Sequence, residues 1–270
     1  MINKEILEHY EAGIEFERLS KELYLIERIR TQEIITRYLR KTPIKILDVG
    51  GGTGFYSFWL GGLNNEVHLL DPVSGHIKEA KSYSEKSKKF LASIEVGEAR
   101  QLKHKDNYFD LILLFGPLYH ITERSERLRA LSEAKRVLKP GGVCLCVGIS
   151  RYASTLDGYF RTFVDDPRFV EIMNQDLKNG QHRNPTDNLQ YFTTAFVHEP
   201  EEFKMEIIES GFRFEKLIAI DSFGWLIPAL GNKLNNLRYR ETLLQSIRMI
   251  EEKTSLMGIS AHIMGVAKKE

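Results

Sequence analysis

The sequence predicts an α/β fold, a parallel sheet connected by crossover helices, and three observations carry that prediction. Strand-like and helix-like patterns alternate from residue 44 to residue 148. The first strand, Ile46-Leu47-Asp48-Val49, ends in an acid and breaks into the glycine-rich run Gly50-Gly51-Gly52-Thr53-Gly54. A chain of 270 residues with 42% hydrophobic content can bury the core of one α/β domain with additions, or of two small domains.

Residues 3–40 place apolar groups at mixed three- and four-residue steps, among them Ile6, Tyr10, Ile14, Leu23, Ile26 and Ile35, which predicts two or three amphipathic helices closed off by Pro43. Strands follow near 44–49, 66–71, 91–96, 109–115 and 142–148, with helices near 54–62, 74–88 and 123–138. After Ser150 the rhythm changes. Aromatics such as Tyr159, Phe160, Phe163, Phe169, Tyr191 and Phe192 mix with turn formers such as Asp165-Asp166-Pro167, and this predicts an inserted cap. A helix over 199–210 ends at Gly211, and 212–221 reads as a strand; a further helix is expected near 236–254 and a last strand over 260–268. The expected divisions are a helical cover at 1–42, a core at 43–150, a cap at 151–198 and the remainder of the sheet at 199–270.

Glycines at 50, 52 and 54 let the backbone turn sharply and approach a ligand, and the helix behind them offers free N–H groups. In a parallel sheet ligands sit at the carboxyl ends of the strands, which is where Asp48 falls. The dinucleotide fingerprint G-x-G-x-x-G fails here, because its sixth position is occupied by Phe55. An anionic Asp48 would also repel a pyrophosphate and welcome a cation. S-adenosylmethionine (SAM), with its ammonium and sulfonium, fits that requirement. Asp71 closes the second strand 23 residues after Asp48, followed by Pro72, and an acid so placed can accept both hydroxyls of an adenosine ribose.

These residues resemble the first motif, hhDhGxGxG, and the acid-terminated second strand of the class I SAM-dependent methyltransferases. Gly97-Glu98-Ala99 is similar to that family's G-D-A segment, with Glu98 in place of the usual Asp; Phe109–Phe115 is similar to its fourth strand, and Arg136–Gly142 with Val143–Val147 to its helix, turn and fifth strand. The resemblance implies a Rossmann-like, doubly wound, seven-stranded sheet with an antiparallel last strand. It also implies a cofactor site of Asp48, Gly50, Gly51, Gly52, Gly54, Asp71, Pro72, Glu98, Ala99, Phe115 and Gly116, with SAM as cofactor and S-adenosylhomocysteine (SAH) as product. The leading helices cover the cofactor in this family, so Arg18 or Arg30 could pair with its carboxylate, or simply sit on solvated helix faces.

Methyl transfer from a sulfonium is an in-line displacement that needs a close, collinear acceptor and sometimes a base. Phe115-Gly116-Pro117-Leu118-Tyr119-His120 follows the fourth strand, where the methyl end of the cofactor is expected. Tyr119 and His120 are therefore the candidate catalytic residues, His120 as base. The resemblance extends to a subset of small-molecule methyltransferases, which places Tyr191, Phe192 and His198 around the acceptor, although His198 also suits a helix start. Tyr10 is the candidate acceptor contact from the leading helices. F-G-P-L stands where methyltransferases of nucleic acid bases commonly carry N/D-P-P-Y/F, and an aromatic-rich insert suits an apolar or aromatic small molecule.

A net charge of +1 gives no nucleic-acid footprint, and the five lysines of Lys78–Lys89 fall on the helix after the second strand. Cys144 and Cys146 read as core packing in a reducing compartment, with no metal-ligand spacing around them. No apolar stretch is long enough to span a membrane, and the expectation is a soluble, cytoplasmic monomer or homodimer. Two other readings remain, a SAM-binding sensor or partner protein without transferase activity, and an NAD(P)-dependent oxidoreductase on a similar sheet.

Overall fold

In a computed structural model the residues described are 5, 6, 10 and 24–270. The strands are β1 (Lys45–Val49), β2 (Glu66–Asp71), β3 (Ser93–Val96), β4 (Phe109–Leu114), β5 (Leu138–Ser150), β6 (Gln181–His182), β7 (Ala195–His198), β8 (Arg213–Ala219) and β9 (His262–Lys268). The α-helices are α1 (Leu25–Thr36), α2 (Phe55–Gly62), α3 (Ser74–Ser87), α4 (Pro117–His120), α5 (Arg124–Val137), α6 (Ala153–Phe160), α7 (Pro167–Asn179), α8 (Pro200–Glu209), α9 (Leu230–Leu234) and α10 (Leu237–Ile250). Seven of the strands follow the order β3-β2-β1-β4-β5-β9-β8. β1 pairs in parallel with β2 and β4, and β4 with β5, while β9 runs antiparallel to both β5 and β8. The central strands read as continuous apolar runs because helices cover both faces. Leu47, Ile112, Cys144 and Cys146 pack with Leu131 and Phe203 on one side, and Ile46, Leu111, Leu145 and Met264 with Ile34 and Leu60 on the other.

Two strands join this sheet beyond the expected seven. β7 pairs in parallel with β5 through Ile149↔Val197 and Ser150↔His198, past the point where β4 stops at Leu114↔Cys146, and the two-residue β6 pairs with β7. Residues 195–198, expected in the cap, are therefore sheet. Phe163, Phe169 and Tyr191 pack on Ile172 and Met173 as a small core of their own, held because α7 is amphipathic and capped by Asp166.

A buried ion pair ties α5 to α8. The Arg127 guanidinium donates to both carboxylate oxygens of Glu206, at 2.6–3.1 Å, lies 3.7 Å from the Phe196 ring centroid, and donates from Nη1 to the carbonyls of Ile121 and Thr122. His198 adds a contact to Glu206 at 3.4 Å. Burial alone would raise the Glu206 carboxyl, but the His198 and Arg127 hydrogen bonds outweigh it and bring it to about 2. No helix among the described residues is long and apolar enough to cross a membrane.

Removing one partner of such a pair leaves the other charge buried, so Glu206→Ala should cost about 3–5 kcal/mol in urea unfolding. The folded-state Glu206 pKa lies below its unfolded value near 4.3. Its contribution is accordingly complete above that unfolded value and lost as pH falls through about 2, which a series of urea melts from pH 7 downward would register in the wild type and not in the variant.

Candidate active site

The turn after β1 is built by positive φ at Gly50 (77°) and Gly54 (90°). A Cβ on Gly50 would lie 2.6 Å from the Phe115 carbonyl oxygen and 2.7 Å from Pro117 Cδ, so the turn fits directly beneath the segment that follows β4. Gly54 lies behind the turn, where a Cβ would meet Phe58 and Leu69, and it opens α2. Asp48 is fully buried and accepts from Ser57 Oγ at 2.7 Å, while its Oδ1 has no partner among the described residues. Burial, then the nearby Asp71 carboxylate, raise its pKa to about 7 against the Ser57 hydrogen bond.

Asp71 braces the same turn. One oxygen accepts from the Gly52 N–H at 2.9 Å; the other accepts from the Val73 N–H at 2.9 Å and lies 3.1 Å from His76 Nδ1. Beyond β3, Glu98 pairs with Arg100, which also donates to Glu126 at 3.1 Å. On the opposite side Gly116, at φ 109°, turns the chain into α4. His120 Nε2 lies 2.5 Å from the Tyr10 hydroxyl and Nδ1 is 3.4 Å from the Thr194 carbonyl, so both ring nitrogens face protein partners. The Tyr10 ring also stands edge-on to His76, with centroids 5.5 Å apart.

These groups enclose a cavity of about 290 Å³ at the carboxyl edge of the sheet. Asp48, Gly50, Gly51, Gly52, Asp71, Pro72, Glu98, Ala99, Phe115, Gly116, Tyr119, His120 and Tyr10 all line it. Five expected residues do not: Gly54, behind the turn, and four others. Arg30 is buried in a network with Glu33, Glu251 and the Ile220 carbonyl, and is unavailable to a ligand carboxylate. Tyr191 donates its hydroxyl to Asp166 inside the cap core, and His198 is fully buried against Glu206. Phe192 stops at the His120 ring, centroids 5.8 Å apart. Arg18 lies outside the described residues. Glu27, Thr31, Tyr56, His76, Arg100 and His262 were not anticipated and line the cavity. For His76 a signal existed, five residues beyond Asp71 at the start of a helix; Glu27 and His262 carried none in their local sequence.

A parallel sheet with a glycine turn, two acids on adjacent strand ends and a cavity above them defines a nucleoside-cofactor-binding α/β protein. Residues 47–146 match the family model for a methyltransferase domain. Ubiquinone/menaquinone biosynthesis C-methyltransferase UbiE of Neisseria meningitidis is 28% identical over 186 residues, covering 66% of this chain and 70% of that protein. Its counterpart from Chromobacterium violaceum is 27% identical over 173 residues, 62% and 66% of the two chains. Among solved structures, a SAM-dependent methyltransferase of Methanosarcina mazei superposes with TM-score 0.60 at 19% identity, over 87% of this chain and 96% of that one. The methyltransferase domain over residues 47–146 and the UbiE relatives make the chain a SAM-dependent methyltransferase, with SAM as its cofactor, and the solved structure shows the same fold.

Because the folded-state Asp48 pKa lies above its unfolded value near 3.9, the folded protein loses stability as pH rises from there through about 7. Asp48→Asn should therefore stabilise the ligand-free protein at pH 8 by about 2 kcal/mol while weakening SAH binding, measured by thermal melts with and without SAH.

Proposed function

We propose that this methyltransferase transfers the methyl group in line to a small-molecule acceptor held between the cofactor and α4. The observation that carries this reading is the cavity itself, which joins the Gly50–Gly52 turn, Asp71 and Glu98 at one end to Tyr119, His120 and Tyr10 at the other. Among the described residues the buried Asp48 Oδ1 has no partner, which fits a cationic ligand, and one Asp71 oxygen is taken only by the Gly52 N–H, which leaves acceptor capacity for ribose hydroxyls. Glu98 and Ala99 border the place of the adenine. When bound, SAM supplies an electrophilic methyl carbon on a positively charged sulfur.

The chain's own contribution is positioning and the exclusion of water. His120 orients the Tyr10 hydroxyl across the acceptor end, a role that accounts better for its two filled nitrogens than that of a base. Arg127, by holding the Ile121 and Thr122 carbonyls, fixes the segment that carries His120.

Calorimetric titration should give micromolar binding of SAH, with NADH as a control that does not bind. Asp71→Ala should weaken SAH more than about tenfold, as the loss of charge-assisted hydrogen bonds requires, and unchanged affinity would sink the ribose assignment. His120→Ala should lower turnover more than SAH affinity.

A further inference from the structure

We infer that the segment Tyr191–Thr194 is a strained strap that holds His120 and Tyr10 in register at the acceptor end of the cavity, and that His182 and Asn184 are the positioning residues that keep it in place. The inference rests on the acceptor lying between the cofactor and α4, and adds what fixes that wall from behind.

The strap begins in one core and ends in another. Tyr191 packs with Phe163 and Phe169 in the cap, and four residues later Ala195 opens β7, which pairs with β5. Between them Phe192 stands at φ 67°, ψ −169°. That region of backbone space is essentially reserved for glycine, because a side chain there crowds its own backbone. A bulky residue persists in it only where the surroundings over-determine the conformation.

The surroundings here are two side chains at and just after β6. His182 is almost fully buried, and its Nε2 lies 2.8 Å from the Tyr191 carbonyl oxygen; since a carbonyl can only accept, Nε2 carries the proton. Its Nδ1 lies 2.8 Å from Oδ2 of the fully buried Asp176 on α7, and the same oxygen accepts from Ser154 Oγ on α6. The next carbonyl, that of Phe192, is held by Asn184, whose amide nitrogen donates to it at 2.8 Å and to the Asn188 carbonyl at 2.9 Å. Asn184 Oδ1 in turn accepts from the backbone N–H and the hydroxyl of Thr186, which fixes the amide's orientation. The peptide planes on both sides of the strained Cα are thus pinned. Neither can rotate to relieve Phe192 without giving up a hydrogen bond.

What the strap holds is the acceptor wall. The Phe192 ring contacts two histidines, with centroids 6.0 Å from that of His182 and 5.8 Å from that of His120. The Thr194 carbonyl lies 3.4 Å from His120 Nδ1. The Thr194 hydroxyl donates to the Glu5 carboxylate and the Thr193 hydroxyl to the Glu5 carbonyl at 3.4 Å, and both threonines are almost fully buried. Glu5 precedes Tyr10 by five residues, and the Tyr10 hydroxyl meets His120 Nε2 at 2.5 Å. The members of that pair come from segments 110 positions apart, and the strap touches both segments. Asp48 and Asp71 are braced separately, by Ser57 and by the Gly52 and Val73 N–H groups, so release of the strap disturbs the acceptor end and spares the cofactor end.

Thermal melts, SAH calorimetry and the ring nitrogen NMR signals of His120, identified by their loss in His120→Gln, separate the outcomes. At an ordinary loop position glycine melts below alanine, because its unfolded chain is freer. Here Phe192→Gly should melt above Phe192→Ala by about 2 °C or more, both variants lacking the ring. Asn184→Asp, which cannot donate to the Phe192 carbonyl, and His182→Asn, whose amide is too short to reach the Tyr191 carbonyl, should displace the His120 signals while SAH affinity stays within about fivefold. His182→Gln, which keeps a donor within reach of that carbonyl, should return them to the wild-type position. A smaller lead of glycine over alanine, His120 signals unmoved in both Asn184→Asp and His182→Asn, no recovery in His182→Gln, or a larger loss of SAH affinity overturns the strap and leaves the cofactor site standing. Failure of the wild type to bind SAH overturns the reading of the cavity, and this inference with it.

Discussion

The structure around the cavity depends on keeping a carboxyl group dry. Asp48 sits at the end of the central strand with Ser57 on one side and the negative Asp71 beyond it, and solvent reaches none of it. That arrangement is tolerable in the folded chain only because the group can remain partly protonated, and it becomes favourable when a cation arrives. The rest of the mouth follows from holding it. α2 must begin at Gly54 to bring Ser57 within reach, the turn must fold back closely enough for Gly52 to donate to Asp71, and a Cβ at Gly51 would lie 2.6 Å from the Asp48 carboxylate. The glycines are thus required by an acid as much as by a ligand.

The opposite wall is held by a second dry charge, of the other sign. Arg127 spends its guanidinium on Glu206 and on two consecutive carbonyls just after α4, so the packing of α5 against α8 is transmitted to the loop that borders the acceptor space. α4 has only four residues and could not hold its own geometry; its direction is set by Pro117 at its start and by the Arg127 bonds past its end.

Legibility in the sequence divides along the same line. The strands, the glycine turn, Asp48, Asp71 and the G-P-L-Y-H segment were readable because each is a local pattern whose residues act where they stand. Arg30 and His198 were misplaced because their environment is set by residues far along the chain: Glu251, 221 positions from Arg30, and the β7–β5 pairing that buries His198. Tyr191 was placed at the acceptor by resemblance alone, and its ring instead packs with Phe163 and Phe169. His262 was invisible for a topological reason. The resemblance implies a reversed last strand, but nothing in the run Ser260–Lys268 tells which residue opens it and so reaches the ligand edge.

The reversal of β9 also sets how the molecule can be handled. Because the strand starts at His262 by the cavity and runs to Lys268 beside Val143 and Arg213, residues 268–270 leave from the far edge of the sheet, whereas Tyr10 belongs to the cavity wall. A fluorophore attached at Lys268 therefore sits the length of β9 from the mouth.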